Sequence, residues 1–187
     1  MKRLIKIELV VLVLFFLILN VSVIYADQIK KDKLHNETTP YYLALKYIYA
    51  FGDNYEDVTG DKGYGIGIDL GYRLYHHLSI EIDFTYENSN VIDAEENSRE
   101  DIKYYTTSLD LMYAYEVFHR TSIIFKTGFE IEYEKEKKST KKSEGIIFAV
   151  GVEYDINSRY KFISEYEKST VNGPKGDVIM MGIVYNF

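Results

Sequence analysis

From Tyr41 onward, apolar and polar residues alternate one for one over stretches of ten or more positions, and each stretch ends in a turn or a polar loop. A period of two places successive side chains on opposite faces of a strand. Eight segments follow this pattern, at about residues 40–52, 62–75, 77–88, 103–117, 120–134, 144–156, 158–169 and 177–187. One face is apolar in all eight. It reads Tyr41, Leu43, Leu45, Tyr47, Tyr49, Phe51 in the first segment and Ile179, Met181, Ile183, Tyr185, Phe187 in the last, and no charge interrupts it. The other face carries Lys46, Asp69, Arg73, Glu81, Asp83, Asp110, Lys126, Glu130, Glu132, Glu153, Lys161 and Glu165, interleaved with glycines such as Gly67, Gly71 and Gly128. Connections alternate in length. Tight turns fall around His76, Phe118–His119 and Asn157–Ser158, and longer polar loops at 53–61, 89–102, 135–143 and 170–176. The expected fold is all-β, an eight-stranded antiparallel up-and-down barrel with short turns at one end and long loops at the other.

Volume decides which face points outward. An eight-stranded barrel has an interior just wide enough for side chains to fill. Nearly half of the apolar-face positions are Tyr or Phe, in a chain with 19 Tyr and 10 Phe, and so narrow a lumen has no room for them. Glycines among charges suit it. The apolar face therefore points out, and an apolar band that continuous is incompatible with water as its solvent. A bilayer removes the conflict, because a closed barrel satisfies every backbone donor and acceptor internally. The segments reach the ~9–11 tilted residues that crossing requires. Aromatic residues gather at both ends of the outer face, as interfacial girdles do.

The residues before the barrel read as a targeting segment. Lys2, Arg3 and Lys6 precede an unbroken apolar run from Leu9 to Leu19, and Ala26 precedes polar Asp27. This is the layout of a secretory signal peptide, expected as a helix over residues 1–26 and cleaved after Ala26. The rival reading is an uncleaved anchor, for which Leu9–Tyr25, 17 residues, is at the short limit. Residues 27–39 are polar without periodicity and are expected to form a flexible leader to the barrel at 40–187.

Composition narrows the chemistry. The chain has no cysteine, which excludes disulfide frameworks and thiolate catalysis, and only four histidines. Its net charge of −7, with no basic stripe, argues against nucleic-acid binding. No metal or cofactor is expected.

Together these features resemble the eight-stranded outer-membrane barrels of Gram-negative bacteria, the OmpA-type transmembrane domain and its small relatives. The closing Ile179–Met181–Ile183–Tyr185–Phe187 is similar to that family's C-terminal insertion signal. The resemblance implies recognition of Tyr185 and Phe187 by the outer-membrane assembly machinery, and a setting of outer-membrane lipids and lipopolysaccharide with both termini periplasmic. Some small barrels modify lipid A with His, Ser and a carboxylate near the outer leaflet. Here His76, His77 and His119 fall in the short turns and His35 in the leader, away from such a substrate. The expected role is non-enzymatic, either structural or surface interaction of an adhesion type through the extracellular loops. A narrow porin-like conduit for small solutes is the alternative, and a lipid A-modifying enzyme the weakest one.

Two groups are candidate sites. Loop lysines Lys135, Lys137, Lys138, Lys141 and Lys142 suit an anionic partner such as lipopolysaccharide phosphates, though such a run also suits a solvated loop. Hairpin arithmetic places Lys46 beside Asp69 and strings Asp110, Lys126, Glu153 and Lys161 into a chain of alternating sign around the lumen wall, with Lys126 opposite both Asp110 and Glu153. That network is expected to plug the lumen and set barrel stability.

Overall fold

The computed structural model describes residues 39–55, 58–75, 77–93, 99–136 and 139–187. The signal peptide, leader residues 27–38, His76, Lys137 and Lys138 lie outside the described residues. Ten strands form among those described: β1 (Tyr41–Ala50), β2 (Asn54–Tyr55), β3 (Val58–Gly60), β4 (Gly63–Tyr75), β5 (Leu78–Asp93), β6 (Arg99–Phe118), β7 (Thr121–Lys135), β8 (Thr140–Asp155), β9 (Tyr160–Ser169) and β10 (Val178–Asn186). Eight long strands pair antiparallel with their chain neighbours, and β1 pairs with β10 to close the barrel. Closure leaves no sheet edge, which is the condition for crossing lipid. The short β2–β3 hairpin lies within the first long loop, and β3 pairs with the far end of β5.

The apolar face points outward. Leu45, Ile68, Ile82, Leu109, Phe129, Val150 and Ile183 are all exposed. Aromatic rings meet in pairs at both rims of this band. Tyr41–Tyr72 and Tyr160–Tyr185, with ring centroids 5.1 and 5.3 Å apart, lie at the short-turn end. Tyr49–Tyr64 and Tyr86–Tyr105, at 5.4 and 5.2 Å, lie at the loop end.

Three expectations change. First, residues 89–93, 99–102, 135 and 140–143, expected in loops, are strand. Strand β5 stays paired with β6 out to Ile92 opposite Arg99, and β7 with β8 out to Lys135 opposite Thr140. Beyond Tyr105 and Tyr133 the outward positions turn polar, as in Asp101, Lys103, Lys135 and Lys142. The apolar alternation that marks a strand in lipid therefore ends while the hydrogen-bond ladder continues into water. Second, the turn registers differ. Phe118 pairs with Thr121 around a two-residue His119–Arg120 turn, Arg120 adopts a left-handed φ of 69°, and a bulge follows between Glu116 and Phe118. These shift the pairing by two residues, so Asp110 faces Gly128 and Lys126 faces Met112. Third, residues 170–176 fold inward over the mouth. The amides of Phe51, Gly52 and Asp53 donate to the carbonyls of Asp177, Lys175 and Pro174 at 3.0, 3.0 and 2.9 Å, and Lys175 is buried.

Candidate functional site: the layered lumen

The inward positions form layers along the barrel. At the short-turn end, Lys161 bridges Glu153 at 2.8 Å and Asp155 at 3.2 Å. The Arg73 guanidinium lies 4.8 Å from the centroid of the Tyr42 ring and donates to Asn186. Above these, Tyr42, Ala44, Met112, Ile124, Ile163 and Val184 pack into an apolar layer contributed by five strands. The Tyr42 ring lies flat over β4 because its facing residue is Gly71, where an added Cβ would strike the ring. Its hydroxyl donates to Glu81 at 2.5 Å, joining the apolar layer to the charged one.

The charged layer centres on two lysines. Lys46, on β1, pairs with Asp69 and Glu165. Lys126, on β7, pairs with Glu81, lies 3.1 Å from Asp83, 3.2 Å from Glu165 and 3.7 Å from Asp69. All six side chains are buried. Two ammonium groups therefore hold four carboxylates drawn from β4, β5 and β9, and the bridges run across the lumen rather than along one wall. An ammonium or carboxylate in so enclosed a place needs such partners, since desolvation of an unpaired ion costs several kcal/mol.

The expected chain Asp110–Lys126–Glu153 is not formed. Lys126 faces Ala149 on β8, four residues from Glu153, because β7 and β8 stay paired out to Lys135 opposite Thr140. Asp110 instead accepts a hydrogen bond from Ser108 at 2.9 Å and sits opposite Gly128. Lys46 meets Asp69, and Lys161 meets Glu153, each as a diagonal pair one step from direct register. Gly128 makes room for Asp110, as a Cβ there would collide with its carboxylate. Gly128→Ala should therefore destabilise the barrel by about 1–3 kcal/mol through overpacking. Asp110→Ala in the same chain should recover part of that cost in urea titrations but not all of it, because the Leu109 carbonyl would still lie 2.5 Å from the added Cβ.

A second charged layer lies nearer the mouth. Lys175, from the β9–β10 loop, bridges Glu132 at 2.8 Å and Glu87 at 3.3 Å. Burial alone would lower the Lys175 pKa, but the Glu87 and Glu132 carboxylates outweigh it and hold the ammonium well above the ordinary lysine value. Parity along the strands marks Glu87, Glu132 and Glu167 as inward. Nothing in the sequence marks Lys175, which lies between Pro174 and Gly176 in a segment without alternation.

The loop lysines do not make one basic patch among the described residues. Lys142 donates to Glu144 at 2.7 Å, and this hydrogen bond and the negative charge hold its pKa above the ordinary value. Lys141 pairs in register with Glu134 and lies 5.2 Å from the Tyr55 ring centroid, while Lys135 is exposed. Tyr185 and Phe187 stack edge to face 5.1 Å apart at the end of β10. His77 and His119 both lie at the short-turn end.

Comparison with known proteins accords with this geometry. A family model described as the outer membrane protein beta-barrel domain matches residues 12–187. The chain belongs to that family. Its setting is the bacterial outer membrane, with lipid and lipopolysaccharide around the barrel. Among solved structures, Neisserial surface protein A aligns at a TM-score of 0.65 and 16% identity, over 81% of this chain and 100% of that one. OprG from Pseudomonas aeruginosa aligns at 0.63 and 13%, over 81% and 98%. Ail, the attachment invasion locus protein of Yersinia pestis, solved with the heparin analogue sucrose octasulfate, aligns at 0.59 and 14%, over 79% and 97%. At these identities the likeness is one of fold. A search of curated proteins finds no match.

Proposed function

We propose that this member of the outer-membrane barrel family is a closed, non-enzymatic barrel that acts at the cell surface through the hairpins at its loop end. One observation carries the reading: the lumen is filled across its width by the apolar layer around Tyr42, Met112 and Ile124 and by the Lys46–Lys126 layer above it. A barrel filled in this way has its outer rim left for function. That rim is large, since β5, β6, β7 and β8 run 16, 20, 15 and 16 residues, beyond the ~9–11 that a membrane requires. In this reading residues 1–26 are a signal peptide, 27–39 a periplasmic leader, and both termini periplasmic. Tyr185 and Phe187 are the signal read by the assembly machinery. Lys135, Lys137, Lys138, Lys141 and Lys142, with Glu134, Glu136 and Glu144 among and beside them, contact lipopolysaccharide or an extracellular partner. The alternative, a narrow conduit for small solutes, requires both layers to open.

The test is a strain whose β5–β6 and β7–β8 hairpins are shortened to the level of Tyr105 and Tyr133. The shortened protein should insert normally, judged by heat-modifiable migration on gels. Binding of whole cells to epithelial monolayers and to sulfated-glycan surfaces should fall relative to the full-length strain. Equal binding by both strains would reject the surface role.

A further inference from the structure

The layer at the mouth has a feature that the closed-lumen reading does not use. Glu87, Glu130, Glu132 and Glu167 face the upper lumen, and the described cation bridging this layer is the chain's own Lys175. Glu130 is fully buried, with one carboxylate oxygen accepting from Ser169 and the other, Oε2, without a hydrogen-bond partner. Glu87 is likewise buried, and its Oε2 is also without one. Both line a small cavity beside Lys175, to which Asp83 and Glu167 also contribute. The Tyr104 ring, 6.0 Å from the Lys175 ammonium, presents its face as a further cation contact.

The neighbouring acidic triad Asp69, Glu81 and Asp83 is different. Its carboxylates approach one another closely enough to hold a metal, but Lys126 bridges all three. Among the described residues the upper layer has a single bridging ammonium for four carboxylates, and that ammonium comes from a loop rather than a strand. Backbone hydrogen bonds from Phe51, Gly52 and Asp53 hold the loop to the rim, the Thr170 amide ties its start to the Ile146 carbonyl at 2.9 Å, and Gly52 and Gly176, both at φ 73°, flank the rim contact.

We propose that the upper lumen is a binding site for primary alkylammonium ligands, which Lys175 occupies from within, and that the β9–β10 loop is a lid such ligands displace. The site is built for this group: two carboxylates within bridging distance of an ammonium, an aromatic face beside it, and further carboxylate oxygens in reach of a second charge. Diamines are favoured over monoamines. One ammonium replaces that of Lys175, and the other offsets Glu130 and Glu167, which the lysine leaves unbridged.

The experiment uses the refolded full barrel and 1,4-diaminobutane, with sodium chloride at matched ionic strength as control. Lys175→Ala vacates the site without removing a carboxylate. Calorimetry should show this variant binding the diamine at least tenfold more tightly than the wild type, whose own lysine competes. Its urea midpoint should rise toward the wild-type value with diamine or propylammonium, and not with sodium. The triple variant Lys175→Ala, Glu87→Gln, Glu132→Gln should lose the binding. If Lys175→Ala does not fold, hydrogen exchange of the wild-type Gly52 and Asp53 amides, which donate to the lid, should accelerate with diamine. Diamine binding unchanged in the triple variant, absent from Lys175→Ala, or without effect on those two amides would overturn the proposal.

Discussion

Lys126→Met should lower the stability of the refolded barrel by about 3–5 kcal/mol, the cost of breaking a buried ion cluster by removing one partner. Methionine fills most of the volume, so the loss reports charge rather than a cavity. Glu81, Asp83 and Glu165 would be left buried with one lysine fewer, and Lys46 is already engaged by Asp69 and Glu165. Urea unfolding in micelles or bilayers, followed by circular dichroism, reads the difference. Neutralising a carboxylate as well, in Lys126→Met with Glu81→Gln, should recover part of the loss, because the pair is then removed together. A Lys126→Met barrel that unfolds at the wild-type urea concentration would show that the network does not set stability.

The second large effect belongs to the outer face. Arginine at Leu45, Ile68, Ile82, Leu109, Phe129, Val150 or Ile183 should cost about 2–4 kcal/mol where the site lies at the bilayer midplane, and progressively less toward either rim. These seven are exposed on the apolar face in the middle of their strands. Asn88→Arg keeps the outward parity but lies beyond the Tyr86–Tyr105 pair, and should cost about 0–1 kcal/mol. Unfolding titrations across this set give a depth profile. Equal, negligible costs at all seven midstrand sites would mean that the face is not in lipid.

Strand number, closure and facing were legible in the sequence because each follows from parity. A residue such as Leu109 or Asp110 is assigned to a face by counting from its neighbours, and a register error of two or four leaves the face unchanged. Contacts were less legible, for two physical reasons. Turn details fix the register, and the left-handed Arg120 with the adjoining bulge moves Asp110 from Lys126 to Gly128. Lysine is also long enough to cross a narrow lumen, so Lys126 on β7 finds Glu81 on β5 and Glu165 on β9 instead of a residue on an adjacent strand. Lys46 and Asp69 meet despite the shifted register because a diagonal neighbour is still within a lysine's reach. Lys175 was invisible for another reason. A loop has no periodicity from which to infer that it folds inward; the backbone hydrogen bonds from Gly52 and Asp53 and the bridges to Glu87 and Glu132 hold it there.

Planar-bilayer recording of the refolded wild-type barrel tests the closed lumen most directly. With the apolar layer around Tyr42, Met112 and Ile124 and the Lys126 cluster stacked in one lumen, insertion should add no discrete current steps at moderate voltage in 1 M potassium chloride. Stable unitary steps of uniform size, appearing with the folded protein and not with heat-unfolded protein, would contradict the closed lumen and favour the conduit reading.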